Sequence, residues 1–539
     1  MNDLSSSQQS DLIAPGKQLL REIEANLAIP NMKQFPNQKR AHYRAVKNWL
    51  GKYRPKIDTS NIEQVKGYLE AFHHLCEVGA WETALEILRI PLKTPTEEEF
   101  HNQLITWGYY SQQIELYRRL LGKLNKIDGF LNSGLGTIYA SLGEYQKALE
   151  CYQNDFKITR EIKDLKGEGT TLGNIGIIYD FLGDYQKSIE YHRQHLDIAQ
   201  KIGDLKGEGN ANGNLGNAYY ALGNYKEAIK YHQKQLNIAH EIGDRRAEGA
   251  ALASIGNIYY ATGNHQKALE NHHQHLEISQ EIGDRDSEEK AAGNLGSIYD
   301  ALGQYQQALE YHSLGLEIAR DIGDRYVEGT ILRNLGNVYY SLGKYQESIE
   351  YQQKGLAISK TIGDRHGEGS ALANLGNVYF ASGEYQGALT YYQRHLAISQ
   401  EISNIAGIAR GISNLGSVYY AQGNYQLGFE YFQKYLIITK ELGDVVGESI
   451  ALYNLGCILF KIESYQEAIE NLQKALELFS KIDSNSVVNT LCKLAECYQI
   501  LGNYKLALQY CEKGLEIANK FNLPSIKNCQ QLQERLKNL

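Results

Sequence analysis

One interval constrains this chain more than any other feature. A pattern that in full reads Gly-x-Tyr-x-x-Ala is centred on Tyr145, Tyr185, Tyr225, His265, Tyr305, Tyr345, Tyr385, Tyr425 and Tyr465, always 40 residues apart. A tenth copy, at Tyr504, arrives one residue early, and weaker copies surround Trp81 ("GAWETALEIL") and Tyr110 ("GYYSQQIELY"). A fixed period of this size marks a repeat architecture in which each unit is one supersecondary element. In the 326–362 copy, "YVEGTILRNLGNVYYSL" and "YQESIEYQQKGLAISKTI" read as two antiparallel helices. Gly343 breaks the chain between them, and Gly363-Asp364 ends the second. One such hairpin cannot bury its own apolar face, so neighbours must stack into a continuous core.

The expected fold is an all-α solenoid of about twelve helix-turn-helix units over roughly residues 57–520. Residues 1–56 form a polar, basic helical segment, and 57–124 hold two degenerate pairs. Nine regular units fill 125–482, and a terminal unit fills 483–523. Residues 524–539 are expected to form a capping helix opened by Pro524. Its Ile526, Cys529, Leu532, Leu536 and Leu539 share one stripe.

Composition excludes several classes. The 539 residues carry 55 basic and 63 acidic side chains, a net charge of −8, which argues against a general nucleic-acid binder. No run of 18 apolar residues suggests a membrane span. The opening "MNDLSSSQQSDLIAPGK" lacks the basic-then-apolar pattern of a signal peptide. Seven cysteines without CxxC spacing suit free thiols in a reducing compartment, and a cytoplasmic location is expected. No P-loop, GxSxG or HExxH motif occurs, so no enzyme and no cofactor is expected. The histidines His192, His232, His272 and His312 recur at one repeat position. They read as a structural ladder packed against the next repeat, with no metal, although His272 and His275 stand one helical turn apart. The stretch 32–56 is basic and free of acids. Its Tyr43, Val46, Trp49 and Leu50 would pack one helix face on the solenoid, and its charges offer a surface to an acidic partner.

The stretch "NLGNVYY" at 334–340 recurs as "NLGNVYF" at 374–380 and "NLGNAYY" at 214–220. On a wheel of 100° per residue, Ile331, Leu332, Leu335, Gly336, Val338 and Tyr339 form a buried arc. Gly336 would let a second helix approach closely. Thr330, Arg333, Asn334, Asn337, Tyr340 and Ser341 form a second, polar arc. Asn costs roughly 0.5 kcal/mol against Ala in a helix, so its repetition calls for a use. Its amide donates and accepts on a short stem and can bridge a peptide N–H and C=O.

The Leu-Gly-x-x-Tyr…Ala pattern resembles the tetratricopeptide repeat. The 40-residue period and the linker "IGDRxxEG" are similar to a longer subclass, found in the LGN/Pins polarity adaptors and in bacterial, notably cyanobacterial, repeat proteins. Kinesin light chains share the period, but no heptad coiled coil precedes the repeats here. The G-protein-binding motifs of the adaptors would lie beyond Leu539, so that activity is not implied. The resemblance implies a right-handed superhelix whose first-helix faces line a concave groove for extended peptides. The candidate groove residues are then Asn214, Asn217, Tyr220, Asn257, Tyr260, Lys290, Asn294, Arg333, Asn334, Asn337, Tyr340, Asn374, Asn377, Phe380, Arg410, Asn414 and Tyr420. Asn174 and Asn454 extend the ladder at its ends, and Asp180 and Asp300 replace the flanking tyrosine in two repeats. Lys290 and Arg410 match basic positions of the LGN-type repeats. With Arg333 they point to a ligand carrying an acidic stretch. The expected function is a non-enzymatic scaffold binding an extended protein segment. A regulator responding to a peptide signal, or a recognition arm working with a separate enzyme, are the alternatives.

Overall fold

The computed structural model describes residues 35–55, 59–94, 98–481, 485–521, 523 and 525–537. They form 27 α-helices. The first six are α1 (Asn37–Lys52), α2 (Asn61–Gln64), α3 (Lys66–Glu77), α4 (Trp81–Leu88), α5 (Phe100–Thr106) and α6 (Tyr110–Leu120). Regular hairpins then follow: α7 (Asp128–Ser141) with α8 (Tyr145–Glu161), α9 (Leu165–Phe181) with α10 (Tyr185–Ile202), α11 (Leu205–Ala221) with α12 (Tyr225–Ile242), and α13 (Arg245–Ala261) with α14 (His265–Ile282). Next come α15 (Arg285–Ala301) with α16 (Tyr305–Ile322), α17 (Arg325–Ser341) with α18 (Tyr345–Ile362), α19 (Arg365–Ala381) with α20 (Tyr385–Glu401), and α21 (Ile405–Ala421) with α22 (Tyr425–Leu442). The chain ends with α23 (Val445–Lys461) and α24 (Tyr465–Lys481), α25 (Ser486–Ile500) and α26 (Tyr504–Lys520), then α27 (Ile526–Lys537). The fold is an all-α solenoid. It divides into two compact units, one ending at Gly283 and one starting at Asp284.

The linker motif writes the corners. Gly343 (φ +71°) ends the turn between α17 and α18, and Gly363 (φ +73°) caps α18 in the left-handed region that an L side chain enters only with strain. Asp364 then caps α19, accepting from the Gly367 N–H at 2.8 Å. The arginine and glutamate of "IGDRxxEG" form a clamp. Arg285 reaches Glu288 at 2.7 Å within α15 and Asp321 at 3.2 Å in the last turn of α16. Arg365 joins Glu368 and Glu401 in the same way. Each clamp ties the start of a first helix to the end of its own partner helix.

The tyrosines also find a place. Tyr219 stacks on Tyr231 at 5.4 Å between centroids, and Tyr339 on Tyr351 at 5.2 Å. Equivalent stacks join Tyr179 to Tyr191, Tyr299 to Tyr311, Tyr379 to Tyr391, Tyr419 to Tyr431 and Tyr498 to Tyr510. Each glues the two helices of one hairpin.

In α1, Tyr43, Val46 and Leu50 are buried and Trp49 packs beside them, while Lys39, Arg44 and Lys52 stay exposed. In α27, Cys529, Leu532 and Leu536 are buried on the preceding hairpin. Pro524 and Leu539, expected to open and extend that helix, lie outside the described residues, as do residues 1–34. Among the described residues no helix is long and apolar enough to cross a membrane.

Candidate functional site

The glycine of "NLGN" sits under a side chain from the second helix of its own hairpin. A Cβ on Gly256 would lie 2.7 Å from His272 Nε2, and one on Gly296 would lie 2.6 Å from His312 Nδ1. The same seat holds Tyr152 over Gly136, His192 over Gly176, His232 over Gly216, Gln352 over Gly336 and Tyr392 over Gly376. Glycine gives up helix propensity here so that a large side chain can rest on its backbone. The histidine ladder is therefore structural in a way the sequence did not show: each ring packs on its own repeat. Burial pulls the pKa of His272 and His312 down to about 4, with His275 and His273 adding to the effect on His272. His232, His195 and His395 are lowered by the same desolvation. His192 instead meets Asp180 at 3.2 Å, so the aspartate that replaces a flanking tyrosine serves the ladder.

The second-helix residue at this seat also reaches some asparagines. Gln352 Nε2 donates to Asn337 Oδ1 at 2.9 Å and to the Arg333 carbonyl at 2.9 Å, and Gln352 Oε1 accepts from Asn374 Nδ2 at 3.3 Å. Tyr392 donates to Asn377 Oδ1 at 2.7 Å. Asn337, Asn374 and Asn377 thus spend one amide atom each on internal bonds. Asn334 and Asn414, both half-buried, have no such bond among the described residues, whereas Asn257 and Asn294 are engaged.

In the first unit, Asn214 is half-buried and Asn217 exposed, and neither amide bonds another protein group among the described residues. Both line a pocket of about 470 Å³ with Asn174, Asn210, Gln235 and Lys206. Helices α9, α11 and α13 supply its walls, while His195, His232 and Gln235 reach through from behind. Tyr220 and Tyr260 flank this face, 41% and 40% exposed, each leaning on the first residue of the following helix, Tyr225 and His265.

In the second unit, Tyr340, Phe380 and Tyr420 flank in the same manner against Tyr345, Tyr385 and Tyr425. The three basic candidates differ in setting. Arg410 is exposed, and Lys290 is exposed but paired with Asp286 at 2.6 Å. Arg333 was expected to project into the groove, yet only 9% of it is exposed. Its guanidinium donates to Ser359 Oγ and Thr330 Oγ1, each at 3.0 Å. The reason lies across the hairpin. Gly355 stands where His195, Gln235, His275 and His395 stand in other repeats, and a Cβ there would meet Arg333 Cγ at 2.8 Å. One repeat earlier, Glu289 replaces the usual glycine of the first helix while Gly315 replaces the usual histidine of the second. Glu289 is 3% exposed, and burial with Asp324 and Asp286 nearby pushes its carboxyl up to about 7. Laying the repeats over one another at 40 residues exposes both exchanges, because each glycine appears opposite the new bulky residue.

Stacked two-helix hairpins presenting amide-rich first-helix faces define a helical-repeat protein. Family models described as tetratricopeptide repeat match residues 129–201, 208–281, 249–321, 327–401 and 407–481, with further matches at 488–521 and 290–361. These matches cover more than half of the sequence, and the chain belongs to the tetratricopeptide repeat family. No curated protein matches it. Among solved structures, it is similar to BtubC (BKLC) from P. vanneervenii at 22% identity, over 41% of this chain and 92% of that one, with a TM-score of 0.37. A signal transduction ATPase with numerous domains, bearing a tetratricopeptide repeat sensor, from Pyrococcus horikoshii is 17% identical over 84% of this chain and 66% of that one, with a TM-score of 0.46. A Rap protein complexed with competence and sporulation factor is 15% identical over 67% of this chain and 99% of that one, with a TM-score of 0.44.

Proposed function

We propose that this protein is a scaffold that binds an extended segment of a partner protein along its first-helix faces. The observation that carries this reading is the pocket of the first unit. Two successive first helices, α9 and α11, bring Asn174, Asn210, Asn214 and Asn217 to one hollow, where Asn214 and Asn217 keep their amides uncommitted. Such amides pair with a peptide backbone as a sheet edge would, independent of its side chains. The flanking Tyr220 and Tyr260 add contact area with little rotamer entropy to lose.

In the second unit, Asn334, Asn414, Tyr340 and Tyr420 continue the same chemistry. Arg410 is the cation best placed there to favour an acidic stretch of ligand, since Lys290 is already paired. The 40-residue spacing and the "IGDR" clamp support placing the repeats in the LGN/Pins-like subclass. The division into degenerate pairs at 57–124, regular units at 125–482, a terminal unit at 483–523 and a cap at 524–539 is part of this reading, as is a cytoplasmic location.

Fluorescence anisotropy against an array of extended 12-residue peptides, acidic and neutral, tests it. Asn214→Ala with Asn217→Ala should weaken peptides selected by the wild type. Two lost hydrogen bonds at about 1 kcal/mol each amount to roughly 30-fold. The melting temperature should hold or rise, because Ala is the better helix former. Unchanged affinities in a stably folded variant would show that these asparagines meet only solvent.

A further inference from the structure

Where the last three helices meet, three sulfur atoms gather. Cys492 of α25 and Cys529 of α27 hold their Sγ atoms 2.9 Å apart. Cys511 of α26 turns its thiol to the Cys529 carbonyl oxygen, 3.3 Å away. Both facing sulfurs rest over Gly514 of α26, where a Cβ would lie 3.7 Å from Cys492 Sγ and 3.8 Å from Cys529 Sγ. Cys529 is fully buried, but Cys492 is half-buried and lines a pocket of about 730 Å³ with Lys493, Glu496, Gln531 and Arg535. One sulfur is reachable from solvent, and the other is held against it.

We propose that Cys492 and Cys529 form a reversible disulfide that fastens α27 to α25 when the protein meets a hydroperoxide. The Cys492 thiol gives its proton to water in the pocket, and its sulfur attacks the distal peroxide oxygen. The O–O bond breaks, and hydroxide leaves and takes up that proton (or the corresponding alcohol forms from an organic peroxide). Cys492 is left as a sulfenic acid. Cys529 sulfur then attacks the Cys492 sulfur, the S–O bond breaks, and the departing hydroxide takes the Cys529 proton as water. The thiols lose two electrons and the peroxide gains them, so two thiols and one hydrogen peroxide give one disulfide and two waters. Burial and the neighbouring thiol raise the Cys492 pKa, so the attacking thiol rests protonated and responds to sustained rather than brief exposure. The consequence is mechanical. Helix α27 docks through few buried side chains, chiefly Cys529, Leu532 and Leu536, and closing the loop from 492 to 529 removes its freedom to peel away. It also fixes the pocket wall that Gln531 and Arg535 provide.

The test uses the full chain treated with hydrogen peroxide, alkylated, and mapped by peptide mass spectrometry without reduction. The expected product is a Cys492–Cys529 crosslinked peptide with two fewer alkylated thiols. Hydrogen exchange within 526–537 should slow at least tenfold, and dithiothreitol should restore it. Cys492→Ser, at a pocket-lining position, should keep the reduced protein's helicity and abolish both effects, while Cys511→Ser should leave both intact. Failure to crosslink under prolonged peroxide would overturn the proposal. So would a dominant bond to Cys511, or Cys492 driven to sulfinic acid beside a free Cys529.

Discussion

Acid should loosen this solenoid at named hairpins, and the size of the effect follows from the histidine seats. His272 and His312 are 0% and 1% exposed, and burial lowers each from 6.5 to about 4. The unfolded chain therefore binds more protons than the folded one between those values. Stability is complete above about pH 6.5 and is lost as pH falls toward 4. Between pH 7.5 and 5.0 the linkage amounts to about 2 kcal/mol per histidine, or roughly 30-fold in a local opening equilibrium. A repeat array opens locally, so amide hydrogen exchange is the apt assay. Protection in α13–α14 should fall by about that factor at pH 5.0, after correction for the intrinsic exchange rate, whereas in α15–α16 the oppositely signed titration of Glu289 offsets the loss at His312. His272→Gln with His312→Gln should flatten the dependence without unfolding the chain, because Gln352 already fills the same seat one repeat later. If the double variant loses protection with acid as steeply as the wild type, the titrating groups lie elsewhere and the argument from these seats fails.

Three further outcomes are expected. Gly376→Ala drives a methyl to 2.5 Å from the Tyr392 ring, and urea titration should show a loss of about 1–3 kcal/mol. Glu289 titrates with the opposite sign to the histidines: its carboxyl is raised from 4.5 to about 7, so its contribution is full below pH 4.5 and lost as pH rises through 7. Glu289→Gln should accordingly stabilise α15–α16 by on the order of 2 kcal/mol at pH 8, with no gain at pH 4, read by hydrogen exchange at the two pH values. Glu463 holds φ +65° at a corner where other repeats place glycine, so Glu463→Gly should gain about 1 kcal/mol in thermal unfolding through relief of left-handed strain.

The repeat period fixed the helices almost residue by residue, because a 40-residue unit with glycine corners and an Asp cap leaves one way to turn the chain twice. The arc containing Ile331, Leu335 and Val338 is buried as the wheel requires. What the wheel could not resolve was the use of each position on the polar arc. A wheel treats a helix as isolated, whereas the fate of Arg333 is decided by an absent side chain at Gly355, on the neighbouring helix and 22 residues away in sequence. The same holds for "NLGNVYY". Its glycine answers to Gln352, which rests on it, and its second asparagine gives its oxygen to that same glutamine. Asn334 has no such obligation, and in the first unit neither Asn214 nor Asn217 has one. The internal bonds of Asn337, Asn374 and Asn377 thus split a ladder that looks uniform in sequence. Some rungs tie helices to one another, and others make no internal hydrogen bond among the described residues. A binding experiment that changes only the open rungs separates the recognition reading from the packing that every repeat needs.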